Sequence, residues 1–154
     1  MNCITVKKSS KGGKGVFAAR DFKKGEVVLI WDISHQLSRE QIKNLSQDDQ
    51  NHTNYIGTDT YTLMQSPEKF VDHSCEPNTY VKNQQDIALI DIEKGEEITT
   101  DYSLNGIDDW EMQCNCGTQN CRKVIYGDFR KLDLKTKKRL YPYLEEWYKR
   151  EIKI

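Results

Sequence analysis

Apolar residues in this chain come in short bursts separated by polar and charged ones. Residues 4–6 and 16–19 are two such bursts. Between them, residues 9–15 hold Gly12, Gly13 and Gly15 and are too flexible for a helix. Asp21-Phe22-Lys23-Lys24-Gly25 reads as a turn, and residues 26–31, rich in Val, Leu and Ile, as a buried strand. Residues 38–49 are polar, with Ile42 and Leu45 spaced for a short helix that Ser38 could cap. Residues 54–63 predict a hairpin turning near residues 57–59. Residues 70–78 follow Pro67 and contain Pro77, so they do not form a regular central strand. Residues 79–82, 87–90 and 98–102 read as strands. Between the last two, residues 91–97 repeat the first turn: acid, apolar, charged, charged, glycine, glutamate. A cysteine loop spans residues 113–122. The tail, residues 129–154, is the only long helical candidate. Its apolar positions Leu132, Leu134, Leu140, Leu144, Trp147 and Tyr148 are only partly at helical spacing, and Pro142 breaks or restarts it. The pattern predicts a mostly β chain with short helices: many short strands, then a cysteine loop, then a C-terminal helix.

The 154 residues suit one compact domain, and an apolar share of 36% supports a core of modest size. Lys and Arg total 23 against 24 Asp and Glu, a net charge of −1; no direct nucleic-acid binding is expected, since such binders usually carry a basic excess. No apolar run is long enough to span a bilayer, and the lysines of residues 1–10 have no apolar stretch behind them, so neither a membrane segment nor a signal peptide is expected. Cys114, Cys116 and Cys121 lie close together, with Cys3 and Cys75 elsewhere. That clustering reads as metal binding rather than disulfides. Structural zinc takes four ligands in a tetrahedron. Cys114-x-Cys116-x4-Cys121 supplies three, and Gly117 eases the turn between them. Cys75, in an irregular loop, is preferred as the fourth over Cys3 at the chain end. Buried free thiols are the alternative.

Phe70-Val71-Asp72-His73-Ser74-Cys75-Glu76-Pro77-Asn78 resembles the central motif of the SET-domain protein-lysine N-methyltransferase family, written Asn-His-Ser-Cys-x-Pro-Asn. Three further segments resemble that family in the right order. Gly13-Lys14-Gly15-Val16-Phe17-Ala18 is similar to its opening glycine motif. Gly95-Glu96-Glu97-Ile98-Thr99-Thr100-Asp101-Tyr102 is similar to its strand ending in Asp-Tyr. Cys114, Cys116 and Cys121 resemble the post-SET cysteines, which in the family share zinc with the cysteine of the central motif; this independently selects Cys75. The resemblance covers about residues 4–126.

The resemblance implies small curved sheets and a pseudoknot threading residues 72–78 with the segment around Tyr102. It implies a SET domain over residues 4–105, a post-SET zinc segment over 110–126 and a helical tail over 127–154. The implied cofactors are S-adenosylmethionine and zinc. Gly13, Lys14, Gly15, Tyr55, Asp72, His73 and Tyr102 are the expected cofactor-side residues, Tyr102 also the catalytic one, and Cys75, Cys114, Cys116 and Cys121 the metal ligands. Asp72 stands where the family usually has Asn: it keeps an acceptor for the cofactor's ammonium, adds a charge and loses an amide donor. Asn78 and Asp101 are expected to serve the fold. The acidic residues Glu96, Glu97, Asp108, Asp109 and Glu111 read for the most part as solvated surface, and any that line a substrate groove would favour a basic peptide; the basic Lys135, Lys137, Lys138 and Arg139 read as the wet face of a helix. The implied partner is a basic protein or peptide such as a histone tail, and the implied location intracellular, nuclear in a eukaryote and cytoplasmic in a microbe. The competing reading is a catalytically reduced protein-interaction module that keeps the structural zinc, suggested by Asp72 and by Thr100 in place of the usual aromatic residue.

Overall fold

A computed structural model describes residues 2–152. Met1, Lys153 and Ile154, at the ends of the expected N-terminal segment and tail, lie outside the described residues. The elements in order are β1 (Ile4–Lys8), β2 (Lys14–Ala18), β3 (Val27–Ile30), β4 (Gln36–Leu37), α1 (Arg39–Ile42), α2 (Gln47–Asn51), β5 (Thr53–Gly57), β6 (Thr60–Leu63), β7 (Asp72–His73), β8 (Thr79–Lys82), β9 (Gln85–Ala88), β10 (Glu97–Thr100), β11 (Ile107–Gln113), β12 (Val124–Asp128), α3 (Leu134–Leu140) and α4 (Glu146–Ile152). The strands form small sheets: β1-β2-β10-β7, β3-β9-β8, β4-β6-β5 and the ribbon β11-β12.

Two hairpins turn where the sequence can adopt positive φ. Thr58 and Asp59 (φ 52° and 56°) join β5 to β6, and Asn83 and Gln84 (φ 51° and 55°) join β8 to β9. Both central residues left-handed is the two-residue turn whose twist suits paired strands. This turn starts β9 at Gln85, earlier than the expected 87–90.

The repeated turn motif has a structural reason. Phe22 and Ile92 exchange backbone hydrogen bonds, both 2.8 Å. Each turn's aspartate then receives a backbone N–H from the other turn: Lys24 to Asp91 Oδ1 at 2.9 Å, Lys94 to Asp21 Oδ1 at 2.8 Å. Each glutamate folds back onto its own turn, Glu26 accepting from Lys23 N and Glu96 from Glu93 N. The two turns thus cap one another, with Phe22 and Ile92 both buried in the main core.

That core gathers Val16, Leu29, Val81, Ala88 and Ile98 from the first two sheets, with Phe22, Trp31 and Val71 from the segments beside them. A second joins Leu104 to the tail residues Phe129, Leu132, Leu140, Leu144, Tyr148 and Ile152. The tail is therefore packed onto the segment that follows Tyr102. A third is the cysteine cluster with Ile125.

Three local expectations change, and the break expected at Pro142 is found. Residues 38–49 form two helices, not one. Ser38 caps α1 in a reciprocal capping box with Gln41, and Ser46 caps α2, so a second start signal divides the segment. The tail holds α3 and α4, separated by a 3-10 turn over Tyr141–Tyr143 that contains Pro142. Residues 26–31 are buried only in part: Val28 and Leu29 point inward, while Val27 and Ile30 are exposed. The expected strand 98–102 starts at Glu97 and ends at Thr100, where Asp101 caps a 3-10 turn that holds Tyr102.

Candidate active site and zinc centre

The site forms where β7 and β10 run parallel, with Asp72 beside Thr99 and His73 beside Thr100. The side chain of Asn78 fastens this crossing. Its amide donates to the Glu97 carbonyl at 2.8 Å, and its carbonyl accepts from Thr99 N at 2.8 Å. Asn78 thus replaces strand pairing that Pro77 denies the segment. Ser74 N donates to the Thr100 carbonyl at 2.9 Å, completing the union of two segments distant in sequence.

Tyr102 emerges at the end of this crossing. Its hydroxyl donates to the Val71 carbonyl at 2.7 Å, and its ring meets His73 edge-on at 5.3 Å. Burial, with Asp72, Asp86 and Glu97 nearby, pushes its ionisation well above the usual tyrosine range, so it stays a neutral phenol. Since its proton is committed to Val71, the oxygen presents lone pairs to whatever lies beside it. The buried His73 accepts from Tyr102 N at Nδ1 (3.1 Å). Burial, opposed in part by Asp101, lowers its pKa to about 4, so it is neutral.

Asp101 is fully buried and held by a bidentate bond from Arg122, at 2.7 and 2.8 Å, and by Ser103 N. The fold-serving role expected of Asp101 thus rests on a partner that the residue pattern did not point to. Arg122 directly follows Cys121, and that adjacency was its available signal.

Asp72 Oδ2 and Thr100 Oγ1 are buried without a hydrogen-bond partner among the described residues. Burial first, then the neighbouring Glu97, raises the Asp72 carboxyl to about 6. Glu97 in turn accepts from Ser9 (2.8 Å) and Lys11 (2.9 Å). Glu97 is therefore not among the acidic residues that form solvated surface. A Cβ on Gly15 would lie 2.6 Å from Glu97 Oε1, so in this structure the glycine makes room for Glu97. Gly13 closes the loop by accepting a bond from Ser9 N at 2.9 Å, and Lys14 lies over the Phe70 ring at 5.2 Å. An orphaned carboxylate oxygen beside a glycine loop fits the ammonium end of S-adenosylmethionine.

The sulfurs of Cys75, Cys114, Cys116 and Cys121 all lie within 4.8 Å of one another, Cys75 and Cys114 at 3.7 Å. Zinc–sulfur bonds of about 2.3 Å put tetrahedral sulfurs about 3.8 Å apart, so the donor set fits structural zinc. Three of the ligands come from the loop that closes β11 to β12, a ribbon the sequence reading missed, and Cys75 comes from the active-site crossing. Cys3, set aside at the sequence level, takes a bond from Arg20 Nε at 3.4 Å and is not among the four.

Tyr55 is placed elsewhere than the crossing. It packs against Tyr61 and Trp147, accepts from Asp59 N, and donates to Glu151 of α4 at 3.1 Å. Asp108 is likewise only partly exposed and accepts from Tyr61 and Arg39. Arg139 is exposed, as expected of the wet face of a helix, and also donates to the Cys75 carbonyl at 3.2 Å, tying α3 to the active-site loop.

The SET domain family model matches residues 13–103, more than half of the chain. The chain belongs to the SET domain family. It is homologous to histone-lysine methyltransferases: it is 30% identical over 140 residues to human histone-lysine N-methyltransferase 2D and 28% identical over 142 residues to trithorax of Drosophila virilis, 79% of this chain in each case. The matches span only 2% and 4% of those proteins. Over 86 residues, 42% of this chain and 25% of the relative, it is 34% identical to the H3 lysine-9 specific enzyme of Fusarium mangiferae. A crystal structure of a Plasmodium falciparum protein assigned as a histone methyltransferase superposes with a TM-score of 0.54 at 25% identity, covering 65% of this chain and 92% of that one. The mostly β SET fold is therefore shared; the glycine motif, the central motif and the strand ending in Asp-Tyr lie in the matched region, and Cys114, Cys116 and Cys121 lie beyond it. No helix among the described residues is long and apolar enough to cross a membrane.

Proposed function

We propose that this chain is an S-adenosylmethionine-dependent protein-lysine N-methyltransferase acting on a histone tail or another basic protein. In this reading residues 4–105 form the catalytic SET domain, 110–126 the post-SET zinc segment and 127–154 a supporting tail. When bound, S-adenosylmethionine supplies a methyl group on a sulfonium. Asp72 accepts the cofactor's ammonium at its orphaned oxygen, and Gly13, Lys14 and Gly15 line the same end beside Ser9 and Lys11. Zinc on the four cysteines ties the C-terminal loop to the active-site crossing.

The observation that carries the reading is the Tyr102 hydroxyl. With its proton on the Val71 carbonyl, its oxygen is fixed as an acceptor that can orient a neutral amine. Burial keeps it from acting as a base. Displacement at a methyl carbon needs alignment above all, and a well-placed acceptor supplies it. A lysine amine loses its proton more readily once desolvated, so water can take that proton. A nuclear location follows if the substrate is chromatin in a eukaryote. The test is transfer of radiolabelled methyl to core histones and basic peptides by wild type and Tyr102→Phe. A rate loss of about a hundredfold at unchanged cofactor affinity supports the assignment, the size expected when alignment is lost. Cofactor binding with no transfer to any basic protein would favour the interaction-module reading, for which Asp72 and Thr100 are the sequence departures.

A further inference from the structure

His73 lies between the cysteine cluster and Tyr102 and is bonded to both. Its side chain is 4% exposed. The bond from Tyr102 N uses the lone pair on Nδ1, so that nitrogen carries no proton. The ring proton then sits on Nε2, which is 3.3 Å from Cys75 Sγ. The Arg122 backbone N–H reaches the same sulfur, also at 3.3 Å. Two N–H donors on one sulfur suit a metal-bound thiolate, whose charge they spread; a neutral thiol is a poor acceptor. The competing arrangement puts the proton on Nδ1, facing Asp101 Oδ1 at 3.7 Å. It would set two N–H groups against each other at Nδ1, and Asp101 is already engaged by Arg122 and Ser103.

We propose that His73 is the positioning residue that links the metal centre to Tyr102. It donates from Nε2 to the Cys75 sulfur and accepts at Nδ1 from the Tyr102 backbone, and so fixes the peptide from which the Tyr102 hydroxyl is aimed. A change at the metal is then felt at Tyr102. The transferase reading enters only in what Tyr102 does with its position; the two bonds are testable without catalysis.

The experiment uses the full chain, 15N-labelled and loaded with 113Cd in place of zinc. The expected spectra show His73 as the Nε2–H tautomer. They show scalar coupling from 113Cd to both the His73 Nε2 proton and the Arg122 amide proton, the latter serving as the internal control. His73→Asn retains an acceptor near Nδ1 but cannot reach the sulfur. It should keep the metal and the Arg122 coupling, and lose the shift that exchanging zinc for cadmium produces at the Tyr102 amide. If that variant does not fold, the wild-type couplings alone decide. Coupling at Arg122 without coupling at His73 would overturn the proposal. So would an Nδ1–H tautomer, a Tyr102 amide that responds equally in both proteins, or a folded chain that binds no cadmium. An inactive chain with both couplings sustains the link and removes the transferase reading instead.

Discussion

Replacing Asp72 with Asn is expected to stabilise the cofactor-free protein at neutral pH while weakening its hold on the cofactor. The Asp72 carboxyl is partly buried, has an unpartnered oxygen, and faces Glu97, whose neighbours Ser9 and Lys11 are already engaged. Burial and Glu97 together raise it to about 6. An unfolded aspartate titrates near ~3.9. Between those values the folded state binds the proton more tightly, so this group's contribution falls as pH rises and is fully unfavourable above the folded value. A shift of about two pK units corresponds to roughly 3 kcal/mol as an upper limit. Partial exposure and the nearby Lys11 reduce that to about 1–2 kcal/mol. Asparagine has the same shape and no charge. The variant should therefore melt about 2–8 °C higher than wild type at pH 7 for a chain of this size, with the gap shrinking toward pH 5. Thermal unfolding of the two zinc-saturated proteins measures it, and taking the difference cancels acid release of the metal. Calorimetric titration with S-adenosylmethionine should show the reverse order, wild type binding about tenfold tighter near neutral pH, equivalent to about 1.4 kcal/mol. A variant no more stable than wild type at pH 7, or a gap independent of pH, would refute the claim that this carboxylate is strained until a cation arrives.

Elemental analysis of protein purified without chelator should find one zinc per chain. Chelation or Cys75→Ser should abolish methyl transfer yet leave most of the far-ultraviolet dichroism, because three of the sheets lie outside the cysteine loop. Arg122→Leu leaves the buried Asp101 carboxylate unpaired and should cost about 3–5 kcal/mol in denaturant unfolding, whereas a loss under 1 kcal/mol would mean that water replaces the guanidinium. Thr100 offers a short side chain with an unpartnered hydroxyl where the resembling family usually has an aromatic ring, so wild type should carry a peptide lysine beyond one methyl at long times. Thr100→Tyr should move the product distribution down, and mass spectrometry showing no movement would place position 100 away from the lysine.

The elements legible in the sequence were those whose signals are local. The glycine turns at Gly25 and Gly95, the interruption at Pro142 and the clustered cysteines each state their structure within a few residues. The β11-β12 ribbon was harder to read: residues 109–113 alternate polar and apolar, but the apolar pair Trp110 and Met112 is exposed, so the strand has no buried face. What holds it is a contact across the ribbon. Trp110 lies against Gly127, where a Cβ would sit 2.3 Å from the indole. Gly106 also approaches the Gly127 carbonyl closely, a Cβ there falling 2.8 Å from that oxygen. Those glycines serve packing, and a sequence reading has no partner with which to interpret them.

The same distinction explains which site residues were missed. Tyr102, His73, Asp72 and the four cysteines sit in motifs, so their types and spacing announce them. Glu97, Arg122 and Arg139 look like ordinary surface charges in the sequence, and each acquires its meaning from a residue at least 20 positions away: Lys11, Asp101 and the Cys75 carbonyl. All three converge on the crossing of β7 and β10, where Asn78 rather than a continuous ladder joins the strands. A crossing made of two residue pairs has few backbone bonds of its own. Its rigidity has to come from outside, from the cysteine cluster beneath Cys75, the Arg122–Asp101 pair beside Tyr102, and the tail that Arg139 anchors to the same loop. The C-terminal third therefore supplies much of the order that the active-site crossing lacks.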